Sequence, residues 1–95
     1  MTQNSQERVH LRITGRVQGV GFRWFVIAEG RRLAIRGWVR NNDDGSVEVE
    51  AEGTAAELES LRARVAKGPP ASRVESVQDL PASSDALPAR FTSVR

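Results

Sequence analysis

The sequence predicts an α+β fold in which two helices lie on one face of an antiparallel sheet. Two segments alternate apolar and polar residues with the period of half-buried strands, and two others repeat apolar residues at helical spacing. Together with shorter apolar runs, these segments give the order strand, helix, strand, strand, helix, strand. With 95 residues the chain is long enough for one modest core, and we expect a single domain over residues 1–95.

The first strand is predicted over residues 9–14, where Val, Leu and Ile alternate with polar residues. From Phe22 onward, apolar residues three and four apart predict a helix whose apolar face is broken only at Glu29. Gly30 lies inside this helix, where alanine is usual, at a cost of about 0.5–1 kcal/mol. Ala34 stands where a helix-ending glycine is common, so we expect that turn to be strained or differently shaped.

The second and third strands are predicted over residues 37–41 and 47–52. Residues 42–45 between them read Asn-Asp-Asp-Gly, which is typical of a hairpin loop with a glycine at positive φ. With the first strand and the first helix, these two strands complete the predicted order strand, helix, strand, strand.

The second helix is predicted to begin after Thr54, because Thr54 and Glu57 have the spacing of a capping box. Lys67 and the Gly-Pro-Pro that follows it end the helix. A fourth strand is predicted near residues 72–79. The complete order is that of a ferredoxin-like βαββαβ sandwich.

The ends of the chain are less regular. We expect residues 1–6 to be a flexible N-terminus, residues 7–80 to form the core of the domain, and residues 81–89 to be a loop. Residues 90–95 are a candidate last strand, although they lack the apolar and aromatic finish that such a strand usually has.

Composition narrows the classes of partner. The chain has no cysteine, which fits a reducing compartment, and no apolar stretch of the roughly 20 residues that a membrane span needs. The net charge of +2 is small and the arginines are spread along the chain, so nucleic acid is not indicated. We therefore expect a cytoplasmic protein that binds neither nucleic acid nor membrane. We also expect a monomer, although nothing in the composition indicates the oligomeric state.

A glycine-rich segment joins the first strand to the first helix. We call residues 15–23 the glycine loop. Glycines at 15, 19 and 21 let the backbone turn tightly, so that successive amide groups can point at one centre. No Ser, Thr, Asp or Asn precedes Phe22 to cap the helix, and Arg23 places a cation in the first turn, which the helix dipole disfavours by about 0.3–1 kcal/mol.

Free donors beside a cation indicate a site for a phosphate or a carboxylate. The alternative is an ordinary glycine-rich turn followed by a surface arginine. Topology adds a second polar group to this site. If the first two strands are parallel and joined by a helical crossover, their carboxyl ends lie at the same edge of the sheet, which brings Asn41 to the glycine loop.

With both segments considered, the chain resembles the acylphosphatase family. The matching residues form two separate motifs in the right order: Ile13, Gly15, Val17-Gln18-Gly19-Val20 and Phe22-Arg23, then Gly37-Trp38-Val39-Arg40-Asn41, Gly45, Val47 and Gly53. The resemblance implies metal-independent hydrolysis of a small-molecule acyl phosphate to a carboxylate and inorganic phosphate by direct attack of water, with no cofactor.

Carried over by position, the resemblance implies two catalytic residues. Arg23 would bind the phosphoryl oxygens together with the loop, and Asn41 would hold the attacking water. The implied phosphate-binding residues are Gly15, Val17, Gln18, Gly19, Val20, Gly21, Phe22 and Arg23.

The residue inventory is compatible with this reaction. An acyl phosphate expels a carboxylate whose conjugate acid has a pKa of about 4, so its departure needs no general acid near neutrality. An ester would expel an alkoxide and would need one. Neither motif contains a strong acid, base or nucleophile, which counts against an ester phosphatase.

Other polar and aromatic residues are assigned lesser roles. We expect Gln18 and Arg40 to support the site, and His10 to be a solvated residue on the polar face of its strand. Phe22, Phe25 and Trp38 are expected in the core, and Trp24 is a candidate for the mouth of the site.

Two rival functions share the fold. One is a non-hydrolytic module that binds an acyl phosphate or another anion. The other is an RNA-binding domain, which would stack bases on aromatic residues of the open sheet face. That face is predicted to show His10, Arg12 and Thr14 beside Glu48 and Glu50, so it offers no aromatic platform.

Overall fold

The structure is a computed structural model, and it describes residues 5–95. Its elements are β1 (Glu7–Arg16), α1 (Phe22–Arg32), β2 (Arg36–Asn41), β3 (Val47–Gly53), α2 (Ala55–Lys67), β4 (Arg73–Asp79) and β5 (Thr92–Ser93). The predicted order is confirmed. Of the segment predicted to be flexible, residues 1–4 lie outside the described residues.

The strands form one sheet in the order β4-β1-β3-β2-β5. β3 pairs antiparallel with both β1 and β2, so β1 and β2 run parallel to each other and their carboxyl ends lie at the same end of the sheet. The prediction of an antiparallel sheet holds for the first four strands. It is wrong for β5, which pairs parallel with β2 and makes the sheet mixed.

The core lies between the sheet and the two helices. The strand register places Leu11 opposite Val49 and Val49 opposite Val39, and all three are fully buried. The helices cover this face with Phe22, Val26, Leu58, Leu61 and Val65. Alternation in the strands and helical spacing in α1 and α2 therefore point to one shared core.

Glu29, the single break in the apolar face of α1, is buried as an ion pair. Its carboxylate accepts hydrogen bonds from Arg32, at 2.5 Å from the nearer terminal nitrogen, and lies 3.5 Å from Arg64 of α2. The hydrogen bond from Arg32 outweighs burial and lowers the pKa of Glu29. The carboxylate is thus kept charged between the two helices.

The opposite face of the sheet carries charges and is partly covered. The segment 80–91 follows β4 at one edge of the sheet and leads to β5 at the other, so it crosses this face. Its Ser83 amide donates to Glu50 at 2.8 Å, and Arg8 donates to the Ser83 carbonyl at 2.7 Å. The predicted loop 81–89 has no helix or strand, as expected, but it is bonded to the sheet.

Two predictions about this face are wrong. Trp38 is only partly buried and lies opposite the helices, where its ring meets His10 edge-on at 5.8 Å between centroids. His10 is not solvated: its ring nitrogens contact the Pro81 carbonyl and the Glu48 carboxylate. The reason is the crossing segment, which brings Pro81 over β1 and shields the middle of the face.

The C-terminal segment supplies an aromatic core residue that the sequence reading missed. Phe91 is fully buried between α1 and β2. A Cβ at either Gly30 or Gly37 would overlap its ring. Gly30, although it is unfavourable inside a helix, therefore makes room for the Phe91 ring. The chain does have an aromatic residue near its end, placed just before β5.

The turn after α1 is strained, as predicted. Ala34 has φ of 56°, the one left-handed residue other than glycine among residues 5–95.

No helix among residues 5–95 is long and apolar enough to cross a membrane.

Candidate active site

The glycine loop turns through two left-handed glycines. β1 ends at Arg16 and α1 begins at Phe22. Gly19 has φ of 75° and Gly21 has φ of 80°, which is a region that other residues enter at a cost. A Cβ at either position would meet no atom within 4 Å, so these glycines are needed for backbone conformation rather than for space.

The N-terminus of α1 is uncapped. Gly21 occupies the N-cap position and supplies no side-chain hydrogen bond, and the first turn contains no acidic residue. The first intrahelical bond runs from the Phe25 amide to the Gly21 carbonyl at 3.0 Å. The amides of residues 22–24 have no acceptor within residues 5–95, so they are available to an anion.

Gln18 fastens the glycine loop to the β2–β3 hairpin. Its side-chain amide donates to the Asn42 carbonyl at 2.7 Å and to the Ser46 carbonyl at 2.9 Å. The Asn42 side chain is hydrogen-bonded within the turn, since its amide nitrogen donates to the Ser46 hydroxyl at 2.9 Å. This bridge holds the loop against the end of β2, where Asn41 lies.

The loop, the helix start and the end of β2 enclose a cavity of about 170 Å³. Its walls are formed by Val17, Gly19, Gly21, Phe22, Arg23, Trp24 and Asn41. Arg23 is exposed and makes no ion pair with any acidic residue of the described chain. The cavity therefore combines a cation, free amide donors and a carboxamide.

Asn41 brings an unsatisfied acceptor to this cavity. Its side-chain oxygen is shielded from solvent and has no donor among residues 5–95. A buried acceptor without a partner costs about 1–3 kcal/mol. The side chain would gain stabilisation from a donor entering the cavity.

Three residues predicted to bind phosphate lie outside the cavity wall. Gly15 belongs to β1 at a bulge, where a Cβ would overlap the Arg73 carbonyl of β4, so its role is close strand packing. Gln18 points to the hairpin, and Val20 packs against the core. Trp24, the candidate for the mouth of the site, does line the cavity, with 72% of its surface exposed.

Arg40 lies on the other face of the sheet from Asn41. Its guanidinium donates to Glu48 at 2.9 Å and to Asn42 at 3.2 Å, and it lies over the Trp38 ring. It contacts the hairpin that Gln18 also holds. This position fits a supporting role.

Comparison with known proteins places the chain in a family. The sequence model of the Acylphosphatase family matches residues 9–92. The chain belongs to the acylphosphatase family. It is 56% identical over 77 residues to an acylphosphatase of Salinibacter ruber, which covers 81% of each chain.

Solved structures of other proteins share the fold. The crystal structure of acylphosphatase from Bacillus subtilis is 38% identical, with a TM-score of 0.85, and the match covers 96% of this chain and all of that one. HypF of T. kodakarensis is 27% identical with a TM-score of 0.81. The match covers 93% of this chain but only 12% of HypF, so the same fold occurs inside a far longer protein.

Proposed function

We propose that this chain hydrolyses acyl phosphates to a carboxylate and inorganic phosphate by direct attack of water on phosphorus. The observation that carries the proposal is the shared cavity of Arg23, Asn41 and the uncapped start of α1. Family membership supports the same reaction.

Arg23 and the helix amides bind the phosphoryl group. The planar guanidinium can donate to two equatorial oxygens at once, and the amides at the helix N-terminus add oriented donors. Phosphoryl transfer depends mostly on positioning and charge stabilisation, because its loose transition state spreads charge over those oxygens. The cavity supplies both effects without a covalent step.

Asn41 positions the water. Its carboxamide oxygen accepts a hydrogen bond from water but cannot take a proton near neutral pH. The water oxygen bonds to phosphorus as the bond from phosphorus to the acyl oxygen breaks, and that electron pair leaves on the carboxylate. Both hydrogens of the water end on the phosphate, so a dianionic acyl phosphate gives a carboxylate anion and a dihydrogen phosphate anion.

The reaction proceeds without a metal in this proposal. The leaving carboxylate is stable near neutral pH, so neither a general acid nor a Lewis acid is needed on that side. Arg23 carries the positive charge that faces the phosphoryl oxygens.

The direct test is release of carboxylate from acetyl phosphate with a chelator present. We expect activity in the parent chain, none in Arg23→Ala and a loss of at least about 100-fold in Asn41→Ala, the scale of one transition-state donor. Arg36→Ala removes an exposed arginine at the far end of β2 and should keep parent activity. Inactivation by the chelator would contradict metal independence, and parent turnover in Asn41→Ala would remove the water-holding role.

A non-hydrolytic anion-binding module is the second candidate. The observation that favours it is the likeness to a small part of HypF, where the same fold is one portion of a long chain. Such a module would bind acetyl phosphate or phosphate without releasing carboxylate. The same assay, combined with calorimetric binding, separates the two.

We further propose that the chain acts as a monomer in the cytoplasm. Arg23, Asn41 and the glycine loop come from one chain, so the site is complete without a second copy. Gel filtration of the active protein at a monomer's volume is the expected result, and activity confined to a dimer would contradict it.

A further inference from the structure

A second groove lies beside the candidate active site, along α1. Its volume is about 160 Å³, and its walls are Arg23, Trp24, Ile27, Arg31, Thr92 and Ser93. Arg23 and Trp24 also line the first cavity, so the two cavities adjoin at these side chains. A ligand whose phosphate lies in the first cavity therefore has the second groove next to its acyl group.

The wall of the groove has an arginine toward each end, Arg23 and Arg31, with Trp24 and Ile27 between them in the sequence of α1. Trp24, Ile27 and Arg31 are spaced three and four apart, so they lie on one face of α1. Trp24 presents its exposed ring beside the phosphate end, and Arg31 lies toward the other end of the helix. No acidic residue contributes to the wall. These surfaces suit a hydrocarbon chain that ends in a negative charge.

Arg31 is positioned for such a charge. Its Nε donates to the Phe91 carbonyl at 2.9 Å, which fixes the base of the guanidinium. Its terminal nitrogens have neither a hydrogen bond nor an ion pair among residues 5–95. The adjacent Arg32, in contrast, is paired with Glu29.

We propose that this groove is the acyl subsite and that Arg31 selects acyl groups carrying a second, terminal anion, such as the monophosphates of dicarboxylic acids. The inference rests on the proposed function, because the phosphate must first bind beside Arg23. Arg23 and Arg31 stand eight positions apart in α1. That spacing is about 12 Å along the axis. The five carbon–carbon bonds of a six-carbon acyl group have a contour length of about 7.5 Å, and the phosphoryl group at one end and the long arginine side chains cover the remainder.

The test compares three substrates. Adipoyl phosphate carries a terminal carboxylate, hexanoyl phosphate has the same chain length with a terminal methyl, and acetyl phosphate is too short to fill the groove. For the parent we expect kcat/KM for adipoyl phosphate to exceed that for hexanoyl phosphate by about 10-fold, the scale of a hydrogen bond to a charged group. The preference should weaken as salt is added.

Variants assign the preference to Arg31. Arg31→Gln should abolish the preference through a higher KM for adipoyl phosphate and leave acetyl phosphate turnover unchanged. Arg31→Lys, which keeps the charge but loses the bond to Phe91, should retain part of the preference. Arg36→Gln is the matched control, and it should behave as the parent.

The outcomes separate this inference from the proposed function. If the parent hydrolyses acetyl phosphate but shows no preference for adipoyl phosphate, or if Arg31→Gln slows all three substrates equally, the acyl subsite is overturned and the hydrolytic function stands. Better turnover of hexanoyl phosphate would identify the groove as a site for neutral chains. If the parent hydrolyses none of the three, the proposed function fails and this inference fails with it.

Discussion

Arg23 is a cation in the first turn of α1, where the positive end of the helix dipole disfavours it by about 0.3–1 kcal/mol. Among residues 5–95 no acidic partner offsets this cost. A bound phosphoryl group would, because its charge meets both the guanidinium and the helix amides. A phosphoryl ligand would thus account for a placement that the fold alone does not explain.

Arg23→Lys tests whether the shape of the cation matters as well as its charge. Lysine keeps the positive charge but offers a single point instead of a planar fork. We expect kcat for acetyl phosphate to fall by at least about 10-fold, as for loss of one charge-assisted hydrogen bond. Arg36→Lys serves as the control. Parent turnover in Arg23→Lys would show that charge alone suffices.

Ala34→Gly tests the strained turn. A left-handed φ of 56° costs alanine about 1–2 kcal/mol, and glycine avoids that cost. We expect the free energy of unfolding in urea to rise by about 0.5–1 kcal/mol, after allowance for glycine's larger unfolded-state entropy. Ala63→Gly, at an exposed position inside α2, should instead lower it by about 1 kcal/mol. If both substitutions changed the free energy of unfolding in the same direction, Ala34 would not be strained.

At the scale of elements, α1, β2 and the C-terminal segment are joined by Phe91. The ring occupies space that a side chain at Gly30 or Gly37 would fill. Arg31 bonds the same residue through its carbonyl. The segment before β5 is therefore part of the core, and β5 itself forms one wall of the proposed acyl subsite.

A double-mutant cycle at Gly30 and Phe91 measures this packing. Gly30→Ala should destabilise the protein by about 1–3 kcal/mol, because overpacking outweighs the gain in helix propensity. Phe91→Ala alone should cost about 3–5 kcal/mol. In the Phe91→Ala background, Gly30→Ala should be neutral or stabilising in urea unfolding. An equal loss in both backgrounds would show that the ring is not what Gly30 accommodates.

The sequence predicts a feature of these elements well when the contacts that produce it are between residues close together in the chain. The capping box of Thr54 and Glu57 is a local pattern, and the structure contains it with the Glu57 amide bonded to the Thr54 hydroxyl at 3.2 Å. Phe91 was missed as a core residue and Trp38 was wrongly placed in the core, because their environments depend on a segment that crosses the sheet. The spacing of apolar residues within a segment does not indicate that a distant segment crosses the sheet.

The candidate site likewise has features that the sequence predicts and features that depend on distant segments. Arg23 and Asn41 were brought together by topology, since parallel strands end at one edge, and the structure places both on one cavity. Gly15 lies outside the cavity wall at a bulge of β1, and the sequence did not indicate this because a glycine needed for strand packing and a glycine needed at a ligand look alike in sequence. Arg31 and the groove were missed because the groove needs β5 beside α1.

At the scale of the whole molecule, the charged face of the sheet couples stability to pH. Burial alone would lower the pKa of His10, but hydrogen bonds to the Pro81 carbonyl and the Glu48 carboxylate outweigh burial and raise the pKa. Both ring nitrogens face acceptors, so the imidazolium satisfies both. This stabilisation is present below the ordinary pKa of 6.5 and is lost as pH rises through the raised value.

His10→Gln removes this titration. We expect the parent's free energy of unfolding to fall as pH rises above 6.5, the ordinary pKa of the group, and the variant's to change less over the same range. Urea unfolding at a series of pH values gives both slopes. Equal slopes would mean that the crossing segment is held without the imidazolium.

The central claim is that the glycine loop and Arg23 bind a phosphoryl group. Titration of the isotopically labelled protein with inorganic phosphate, followed by amide proton and nitrogen chemical shifts, tests it most directly. We predict saturable shifts concentrated at residues 17–24 and at the Asn41 side-chain amide, and their loss in Arg23→Ala. Shifts centred elsewhere on the molecule, or unchanged in Arg23→Ala, would contradict the account.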